Sequence, residues 1–562
     1  MKYQIVSQIA DDGSKIFLFS DGYKQIPLNS IYSPEKEAQR FIKKMGVVKN
    51  HLVIIIGVGN GALIDCLVNS HVYKESAHFI FVEPFKEIAL SENTLNLIKN
   101  EKKLSFYYVD ELTSLVFSQY LSAFISLPTS ILIHPNYQKI DPSILKKCLQ
   151  IINDGIKTRK IMNNTELKFA VDWIIEPLLN YPYIDKAINL KDLKNKYAGE
   201  RAVLIASGPS LKQNMGTIKK IQSSAYTFSV GSALRAVLTN GITPDFVLSI
   251  DAGDINYETH FKDLYYDGTL IFETLSNSNI QRNHKGTLVV SRSLNDNISS
   301  LTFPDLHTFQ FNSPSVAIFT LQVIAYLGFS EVYLIGQDLA LVDGRYYADG
   351  IREHGGAKSV KIETEVENNR GEMVGTTHAL KIFLESFENV IKTFSNIKIY
   401  NLSEFGAKIK GTEFIHPNSI KELPERKAIQ LERLHAINAG IGLDNIKEVI
   451  HKFEQVLEQM KKAKKSIERL LKIGSISNDD MKKILKSFRK ISKEPLIEKV
   501  IMSNLTFMFN KIVNKFEYFE DKAKYSNDDL LALTEELKNF YLLVINYIED
   551  VVSDKRITKL IK

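Results

Sequence analysis

The stretch Gly199-Glu-Arg-Ala-Val-Leu-Ile-Ala-Ser-Gly-Pro-Ser-Leu-Lys212 decides the fold class of this chain. Residues Ala202 to Ala206 form a short run of small and β-branched apolar residues, which is typical of a strand buried on both faces. Ser207-Gly208-Pro209-Ser210 ends this strand, and a helix is predicted from Leu211. Such a turn can bind an anion, because glycine permits close approach and the first N–H groups of the helix point at the ligand. The same pattern also occurs in ordinary strand–helix turns that bind nothing.

The length and composition of the chain limit the classes of protein to which it can belong. With 562 residues the chain is too long for a single core, and three or four domains are expected. The net charge of +6 is small, and the lysines are scattered among acidic residues, which argues against a nucleic-acid partner. Cys66 and Cys148 lie among apolar neighbours and predict free thiols. No secretion signal and no long apolar run is visible, so we expect a cytoplasmic protein without a membrane partner.

The N-terminal part of the sequence predicts a β-meander followed by a Rossmann-like unit. Turn signals at Asp12-Gly13 and Asp21-Gly22 separate short alternating segments, and a helix is predicted near Pro34 to Lys44. The apolar run from Leu52 then leads into the glycine-rich loop Gly57 to Gly61, and Glu83 follows about twenty positions later. This spacing fits either a nucleotide site or a Rossmann-like unit that binds nothing.

A second α/β segment carries polar residues where its predicted strands end. The first strand leads into the Ser207 loop, the second ends at Gly231-Ser232, another ends at Asp251, and a later one ends at Gln337-Asp338. Ligands of open α/β sheets bind at the carboxyl ends of the strands, so these residues predict one site. The fold class is therefore α/β and multidomain, with an N-terminal Rossmann-like domain over residues 1–160, a helical connector over 161–192, a central Rossmann-like domain over 193–416 and a C-terminal helical domain over 425–562.

A family resemblance rests on four motifs that occur in order. They are Ser207-Gly208-Pro209-Ser210-Leu211, then Pro244-Asp245 with Ser249 to Asp251, then Gly336-Gln337-Asp338 with Tyr346-Tyr347-Ala348, and finally Ile399-Tyr400-Asn401 with Gly406 to Gly411. The chain resembles the motility-associated factor (Maf) family of flagellin glycosyltransferases. The central domain of that family is similar to bacterial sialyltransferases that use CMP-activated nine-carbon acidic sugars.

The resemblance implies an activity, its partners and its donor-binding residues. The implied reaction transfers a nonulosonic acid, pseudaminic or legionaminic in type, from its CMP donor to Ser or Thr hydroxyls of flagellin in support of motility. The loop of Ser207, Gly208, Pro209 and Ser210 is implied to hold the donor nucleotide and its phosphate. The residues Gly231, Ser232, Asp251, Gln337 and Asp338 are implied to complete the donor site, and Tyr346 or Tyr347 to hold the leaving phosphate.

The general base remains open at this point between several residues. The similar sialyltransferases have a histidine where this chain has Thr376, and His378 follows two residues later. His354 in a glycine-rich segment is another candidate, because a histidine titrates near neutral pH. Asp251 or Asp338 could serve instead. The chain has no Asp-X-Asp motif, so no tightly bound cofactor or metal is expected, although a loosely bound divalent ion could assist.

The C-terminal quarter predicts helices, and two other functions stay open. Apolar residues from Ile446 to Leu471 lie on one helical stripe, and further helices are predicted to begin near Ser477 and Ser526. One alternative is a diphosphotransferase, because archaeal pterin diphosphokinases share the Gly-Pro-Ser-Leu loop. The other is a flagellin-binding or export factor without transfer activity, because this chain has Asp251 where the similar sialyltransferases have Asn, and Thr376 where they have His. The oligomeric state is not predicted.

Overall fold

The computed structural model describes residues 3–46, 49–124, 127–348, 360–428, 434–441, 443–505 and 526–561. Internal contacts divide this chain into two compact units. Unit one comprises Met1–Thr165, Gly474–Asn478 and Thr506–Phe540, and unit two comprises Glu166–Ile473, Asp479–Leu505 and Tyr541–Lys562. The residues of the C-terminal helices are thus shared between the two units, and the predicted boundaries at 160, 192 and 416 stay predictions.

Unit one begins with the predicted meander. The antiparallel strands β1 (Gln4–Ile9), β2 (Lys15–Ser20) and β3 (Gln25–Pro27) lie side by side in chain order. The inward residues Phe17 and Phe19 of β2 are buried, whereas most of β1 is exposed. The predicted helix follows as α1 (Pro34–Met45), and the Ser33 side chain caps it by accepting the N–H of Lys36.

A parallel sheet forms the rest of the unit-one core. Its strands are β4 (Leu52–Ile56), β5 (His78–Glu83), β6 (Leu104–Tyr108) and β7 (Thr129–Ile133), in the order β6-β5-β4-β7. The helices are α2 (Ala62–Val68), α3 (His71–Glu75), α4 (Glu92–Asn100), α5 (Ser114–Tyr120) and α6 (Pro142–Phe169), of which α6 extends into unit two. Every residue of β4 and β5 is buried, as a parallel strand covered on both faces requires.

Unit two is built on a larger parallel sheet. Its strands are β8 (Ile188–Asn189), β9 (Arg201–Ile205), β10 (Tyr226–Val230), β11 (Phe246–Ser249), β12 (Thr269–Glu273), β13 (Leu288–Ser291), β14 (Glu331–Ile335), β17 (Lys398–Asn401) and β18 (Glu413–Phe414). Their order is β18-β17-β14-β9-β10-β11-β12-β13-β8. The hairpin of β15 (Thr364–Glu367) and β16 (Met373–Thr376) stands apart from this sheet. The predicted α/β fold class is confirmed.

The order of the large sheet creates one switch point. From β9 the chain proceeds through β10 to β13 on one side, and it then crosses to β14 and β17 on the other side. The connections after β9 and β14 therefore diverge, which leaves a crevice between the carboxyl ends of these two strands. Open α/β sheets bind their ligands at such a crevice.

Helices accompany these strands. They are α7 (Asp172–Lys186), α8 (Leu211–Ile221), α9 (Gly231–Thr239), α10 (Asp254–Asn256), α11 (Ser278–Asn283), α12 (Ser299–Thr302), α13 (Val316–Leu327) and α14 (His378–Ile391). The C-terminal helices are α15 (Leu443–Ile473), α16 (Asn478–Ser492), α17 (Met502–Asn504), α18 (Asn527–Val552) and α19 (Lys555–Ile561). Among the described residues, no helix combines the length and apolar character that crossing a membrane would require.

A buried ion pair ties α19 to α7 within unit two. The guanidinium of Arg556 donates to Glu176 at 2.8 Å and to Asp172 at 3.1 Å. Glu176 is almost fully buried and also accepts the N–H of Ser278 at the start of α11. Burial raises the pKa of Glu176 to about 7, while the hydrogen bonds from Ser278 and the charge of Arg556 oppose this shift. Removal of the cation would leave a buried carboxylate without its partner.

Candidate active site

The candidate active site lies at the switch point of the unit-two sheet. The residues Ser207 to Ser210 connect β9 to α8, and Gly336 to Asp338 follow β14. The two loops are joined by the N–H of Gly208, which donates to the Gly336 carbonyl at 2.8 Å, and by the N–H of Ser210, which donates to Asp338 Oδ2 at 2.8 Å. The sequence-predicted loops therefore meet as one structure.

Asp338 holds this structure together. Its Oδ2 accepts from Ser210, and its Oδ1 accepts the hydroxyl of Ser403, which follows β17. The carboxyl is almost completely buried, and this burial raises the pKa of Asp338 although the hydrogen bonds oppose the shift. Both oxygens of Asp338 already accept hydrogen bonds. This side chain is therefore better suited to holding the two loops together than to acting as a base that takes a proton from a substrate.

The contact between the loops explains why residue 208 is glycine. A Cβ at Gly208 would lie 2.6 Å from the Gly336 carbonyl oxygen and closer still to Asp338 Oδ2. Two of the loop's N–H groups, at 208 and 210, are used in joining the loops. The groups that remain to meet a ligand here are therefore mainly side-chain hydroxyls.

Two serine hydroxyls meet at the loop, and a pair of tyrosines lies beside it. Ser232, the second residue of α9, donates its hydroxyl to Ser207 Oγ at 3.0 Å. The N–H of Ala348 donates to the Ser207 carbonyl at 3.0 Å, which brings the preceding Tyr346 and Tyr347 to the same loop. The two tyrosine rings lie 4.7 Å apart, and burial raises the pKa of Tyr346, so this phenol stays protonated and can donate. The serine and tyrosine residues predicted from the sequence are thus brought together.

Gln337 and α13 add two features to the same edge. Gln337 is buried, and its amide oxygen has no hydrogen-bond partner within the part of the chain that the structure describes. Such an orphan buried acceptor indicates a bound water or a ligand group. Helix α13 connects the carboxyl end of β13 to the amino end of β14, so its positive N-terminal end, capped by Ser315, lies at the carboxyl edge of the sheet.

Asp251 stands on the same edge, two residues after β11. Two strand spacings separate β11 from β9, or roughly 10 Å. Asp251 is exposed to solvent, and desolvation by the neighbouring protein atoms raises the pKa of its carboxyl. Its backbone carbonyl accepts the N–H of Asn277 at 3.0 Å and the side-chain amide of Asn256 at 3.2 Å. These two hydrogen bonds hold the backbone of this exposed residue in a defined place.

Glu273 extends this acidic region at the end of β12. Burial, together with the nearby charges of Asp251 and Asp296, raises the pKa of Glu273 to about 8. Glu273 is therefore largely uncharged at neutral pH. Within the described residues, no group of three or more His, Cys, Asp or Glu side chains is arranged to hold a metal ion.

Of the two histidines predicted as candidate bases, the structure describes only His378. His378 is the first residue of α14, and its backbone N–H donates to the Glu363 carboxylate at 2.8 Å. The nearby Thr376 is buried and donates its hydroxyl to the Leu339 carbonyl at 3.0 Å, which attaches β16 to the segment after Asp338. His354 lies outside the described residues.

Several site residues were not anticipated from the sequence. They are Ser403, which binds Asp338, together with Asn256, Asn277 and Glu273, which surround Asp251. Each of them follows or ends a strand of the sheet, or lies one short helix beyond it. The sequence signal for each of them is a polar residue close to a predicted strand end, but none of the four belongs to the predicted site residues of the family motifs.

Two sequence comparisons cover parts of this chain. The family model described as 6-hydroxymethylpterin diphosphokinase MptE-like matches residues 176–344, which include β9 to β14. An uncharacterized protein of Treponema pallidum (strain Nichols) is 26% identical over 127 residues. These residues are 23% of this chain and 60% of that protein, so the chain spans less than two thirds of that relative's length.

A solved structure matches the whole chain. The Maf glycosyltransferase from Magnetospirillum magneticum AMB-1 is similar with a TM-score of 0.53 at 13% sequence identity, over 100% of this chain and 95% of that chain. The chain shares its fold with this Maf glycosyltransferase. The resemblance predicted from the motifs is thereby confirmed at the level of the fold. The sialyltransferase CstII from Campylobacter jejuni, in complex with cytidine-5'-monophosphate, gives 14% identity over 42% of this chain and 93% of that chain, with a TM-score of only 0.24.

The second glycine-rich loop of this Maf-like fold, Gly57 to Gly61 in unit one, is filled by the chain's own side chains. A Cβ at Gly57 would lie 2.5 Å from the Tyr137 ring, and one at Gly59 would overlap the Asn29 amide. The N–H groups of the loop are also engaged: Val58 donates to Glu83, Gly59 to the Tyr137 hydroxyl and Asn60 to Asn29. Because Tyr137 follows β7, its ring lies at the switch point between β4 and β7, where a Rossmann-like unit would otherwise bind a nucleotide.

We expect Tyr137→Phe to destabilise unit one by about 1–3 kcal/mol. The buried hydroxyl accepts from Gly59 at 3.0 Å and donates to Glu83 at 2.8 Å, so its loss leaves the Gly59 N–H unpaired. Urea unfolding of full-length protein measures the change. Tyr23→Phe is the matched control, because Tyr23 is 96% exposed. Equal unfolding midpoints for the two variants would show that the hydroxyl does not support the loop.

Proposed function

We propose that this chain is a glycosyltransferase that moves a nonulosonic acid, of pseudaminic or legionaminic type, from its CMP donor to Ser or Thr hydroxyls of flagellin. The observation that carries the proposal is the group of hydroxyls at the switch point, from Ser207, Ser232 and the Tyr346-Tyr347 pair. The whole-length likeness in fold to a Maf glycosyltransferase supports it.

The hydroxyls suit the departure of CMP. As the glycosidic bond breaks, negative charge builds on a phosphate while the sugar becomes oxocarbenium-like. Protonated Tyr346 and the serine hydroxyls would donate hydrogen bonds to this phosphate, and each well-placed donor contributes about 3–4 kcal/mol to such stabilisation. The orphan amide oxygen of Gln337 would accept from the exocyclic amine of cytosine, which a CMP donor supplies. The reaction as proposed needs no metal ion, although a loosely bound divalent ion could assist.

We assign the general base to Asp251. This residue is exposed to solvent, its backbone is held at the carboxyl edge of the sheet, and its carboxyl has a raised pKa, which makes it a better proton acceptor than an ordinary aspartate. Asp338 is engaged on both oxygens, and the Thr376 hydroxyl is a donor to Leu339. His378 is the second choice, because it begins a helix beside the segment that follows Asp338.

A diphosphotransferase is the second candidate. The MptE-like family model matches residues 176–344, and this favours transfer of diphosphate to a pterin alcohol. The match covers only a part of unit two, whereas the likeness to the Maf structure covers both units. The third candidate function is that of a flagellin-binding or export factor without transfer activity.

Intact-mass measurement of flagellin separates these functions. The protein is incubated with flagellin and either CMP-pseudaminic or CMP-legionaminic acid, with and without EDTA, and with ATP and 6-hydroxymethylpterin in a parallel sample. We expect flagellin to gain the mass of one or more nonulosonic acid residues, with EDTA having little effect. Pterin diphosphate without a mass gain would assign the second function, and stable flagellin binding without either product would assign the third.

A further inference from the structure

A buried asparagine supports the turn that carries Asp251. We call residues 251 to 254, which lie between β11 and the second residue of α10, the Asp251 turn. Asn277 lies four positions after β12, the strand that pairs with β11, and its side chain is fully buried. The proposed contacts with the donor come from other elements of the sheet, so the role of Asn277 is a separate question.

Asn277 binds three residues of the Asp251 turn. Its backbone N–H donates to the Asp251 carbonyl at 3.0 Å. Its side-chain amide donates to the Ala252 carbonyl at 2.9 Å and to Asp254 Oδ1 at 2.9 Å. An amide nitrogen carries two hydrogens, and these two acceptors use both of them. The side-chain nitrogen of Asn277 therefore serves the Asp251 turn alone.

Further side chains join the ends of β11 and β12 beside this turn. Asn256 of α10 donates its amide to the Asp251 carbonyl and to Ser249 Oγ, in both cases at 3.2 Å. Ser249 is the last residue of β11, and its hydroxyl shares a hydrogen bond of 2.7 Å with the Ser276 hydroxyl. Polar side chains thus continue the connection between the two strands beyond their backbone pairing, which ends at Ser249.

Asn277 also caps α11, and this is the structural role that a positioning role must be distinguished from. Its Oδ1 accepts the N–H of Asn279 at 3.2 Å. A cap needs only this oxygen, and an aspartate caps a helix as well as an asparagine does. Capping alone therefore does not require the amide nitrogen at position 277, whereas the Asp251 turn does.

We propose that Asn277 is a positioning residue for the transfer reaction, whose side-chain amide holds the Asp251 turn so that the Asp251 carboxylate stays within reach of the acceptor hydroxyl. This inference rests on the proposed function, with Asp251 as the general base. A general base acts only within hydrogen-bond distance of the proton that it takes. Asp251 and Asp254 are exposed, so the buried amide supplies an anchor that solvent does not.

Asn277→Asp in the full-length protein separates the two roles. The aspartate keeps the oxygen that caps α11, but it has no N–H for the Ala252 carbonyl and it places a second carboxylate beside Asp254. We expect kcat for transfer to flagellin to fall about 10²-fold, the cost of a displacement of about 1 Å in a catalytic site. The KM for the CMP-sugar donor and the affinity for CMP should stay unchanged. Single-turnover rates and CMP titration measure these quantities.

Asn189→Asp is the matched control. Asn189 is a buried residue at the end of β8 in the same sheet, and its Oδ1 caps the next turn by accepting the N–H of Lys191 at 3.1 Å. Its amide donates to the Asp305 carbonyl at 3.0 Å. The control thus keeps a cap and loses a buried amide donor, as Asn277→Asp does, but away from Asp251. We expect it to leave kcat unchanged.

Two further variants show whether Asn277 acts through Asp251. In the Asp251→Asn background, Asn277→Asp should lower kcat by less than about threefold, because the base is already absent. Asp254→Ala removes one acceptor of the Asn277 amide at an exposed position and is expected to lower kcat about fivefold. It decides the question if Asn277→Asp does not fold, which loss of both CMP binding and the thermal unfolding transition would show.

The outcomes are distinct. A loss of kcat in Asn277→Asp that is absent from Asn189→Asp and nearly absent from the Asp251→Asn background supports the positioning role. The proposal is overturned if the two asparagine variants have equal kcat, if CMP affinity falls as far as kcat, or if the loss is undiminished without Asp251. Wild-type protein that transfers nothing overturns the proposed function, and this proposal falls with it. Active wild-type protein with unchanged kcat in Asp251→Asn overturns the assigned base and the positioning role, but not the transfer activity.

Discussion

Gly208→Ala is expected to lower kcat/KM with the CMP-sugar donor by about 10²-fold or more. The added Cβ would lie 2.6 Å from the Gly336 carbonyl oxygen, so the two loops of the switch point must separate. Ser207 and its hydroxyl neighbours then move away from the donor phosphate, and a displacement of about 1 Å in a catalytic site costs on the order of 10²-fold in rate. Overpacking also costs about 1–3 kcal/mol in stability. Initial rates and CMP titration measure the effect, which Gly208→Val should increase.

Gly216→Ala is the matched control for this substitution. Gly216 lies in α8, directly after the same loop, and a Cβ there would meet open space. Alanine at this position should stabilise the helix by about 0.5–1 kcal/mol and leave the rate unchanged. If Gly208→Ala binds CMP with the affinity of Gly216→Ala, the loop is not the donor site.

Asp251→Asn is expected to lower kcat by about 10²–10⁴-fold, the contribution of a positioned general base. The amide keeps the size of the side chain but cannot accept a proton, and the hydrogen bonds that place residue 251 go to its backbone carbonyl. CMP affinity and thermal stability should therefore change little. Single-turnover rates at saturating donor, with CMP titration as the binding measurement, separate the loss of chemistry from a loss of binding.

The pH profile distinguishes Asp251 from His378. Desolvation raises the pKa of Asp251, so the wild-type rate should fall as the pH is lowered through this raised pKa and the carboxylate becomes protonated. Asp251→Asn should lose this acidic limb together with most of the rate. His378→Gln is expected to keep both the acidic limb of the profile and most of the wild-type rate. A large rate loss in His378→Gln, with a normal profile in Asp251→Asn, would move the role of base to the histidine.

Local sequence patterns were sufficient for the sheet and for half of the site. The buried runs at Ala202 to Ala206 and Leu52 to Ile56 form strands because β-branched and small apolar residues suit a sheet covered on both faces. The residues that end β9 and β14 meet because parallel strands place their carboxyl ends at one edge. The joining of Ser207 with Tyr346 and Tyr347 follows from the same geometry, once the order of the strands is known.

Long-range contacts account for what the sequence did not predict. The loop Gly57 to Gly61 has the spacing of a nucleotide site, yet Asn29 and Tyr137 fill it from about 30 and 80 positions away. Local spacing cannot show whether such distant side chains enter a loop. The role of Asp338 depends in the same way on Ser403, which is 65 positions later in the chain.

The pair of Arg556 and Glu176 affects when unit two can be completed during synthesis. Glu176 is an almost fully buried residue of α7, and its cation comes from 380 positions later in the chain. A nascent chain that has left the ribosome only as far as α14 would bury this carboxylate without its cation, which costs about 3–5 kcal/mol. The core around Glu176 should therefore close only after Arg556 emerges. Full protection of α7 and α11 from proteases would then mark an almost fully translated chain.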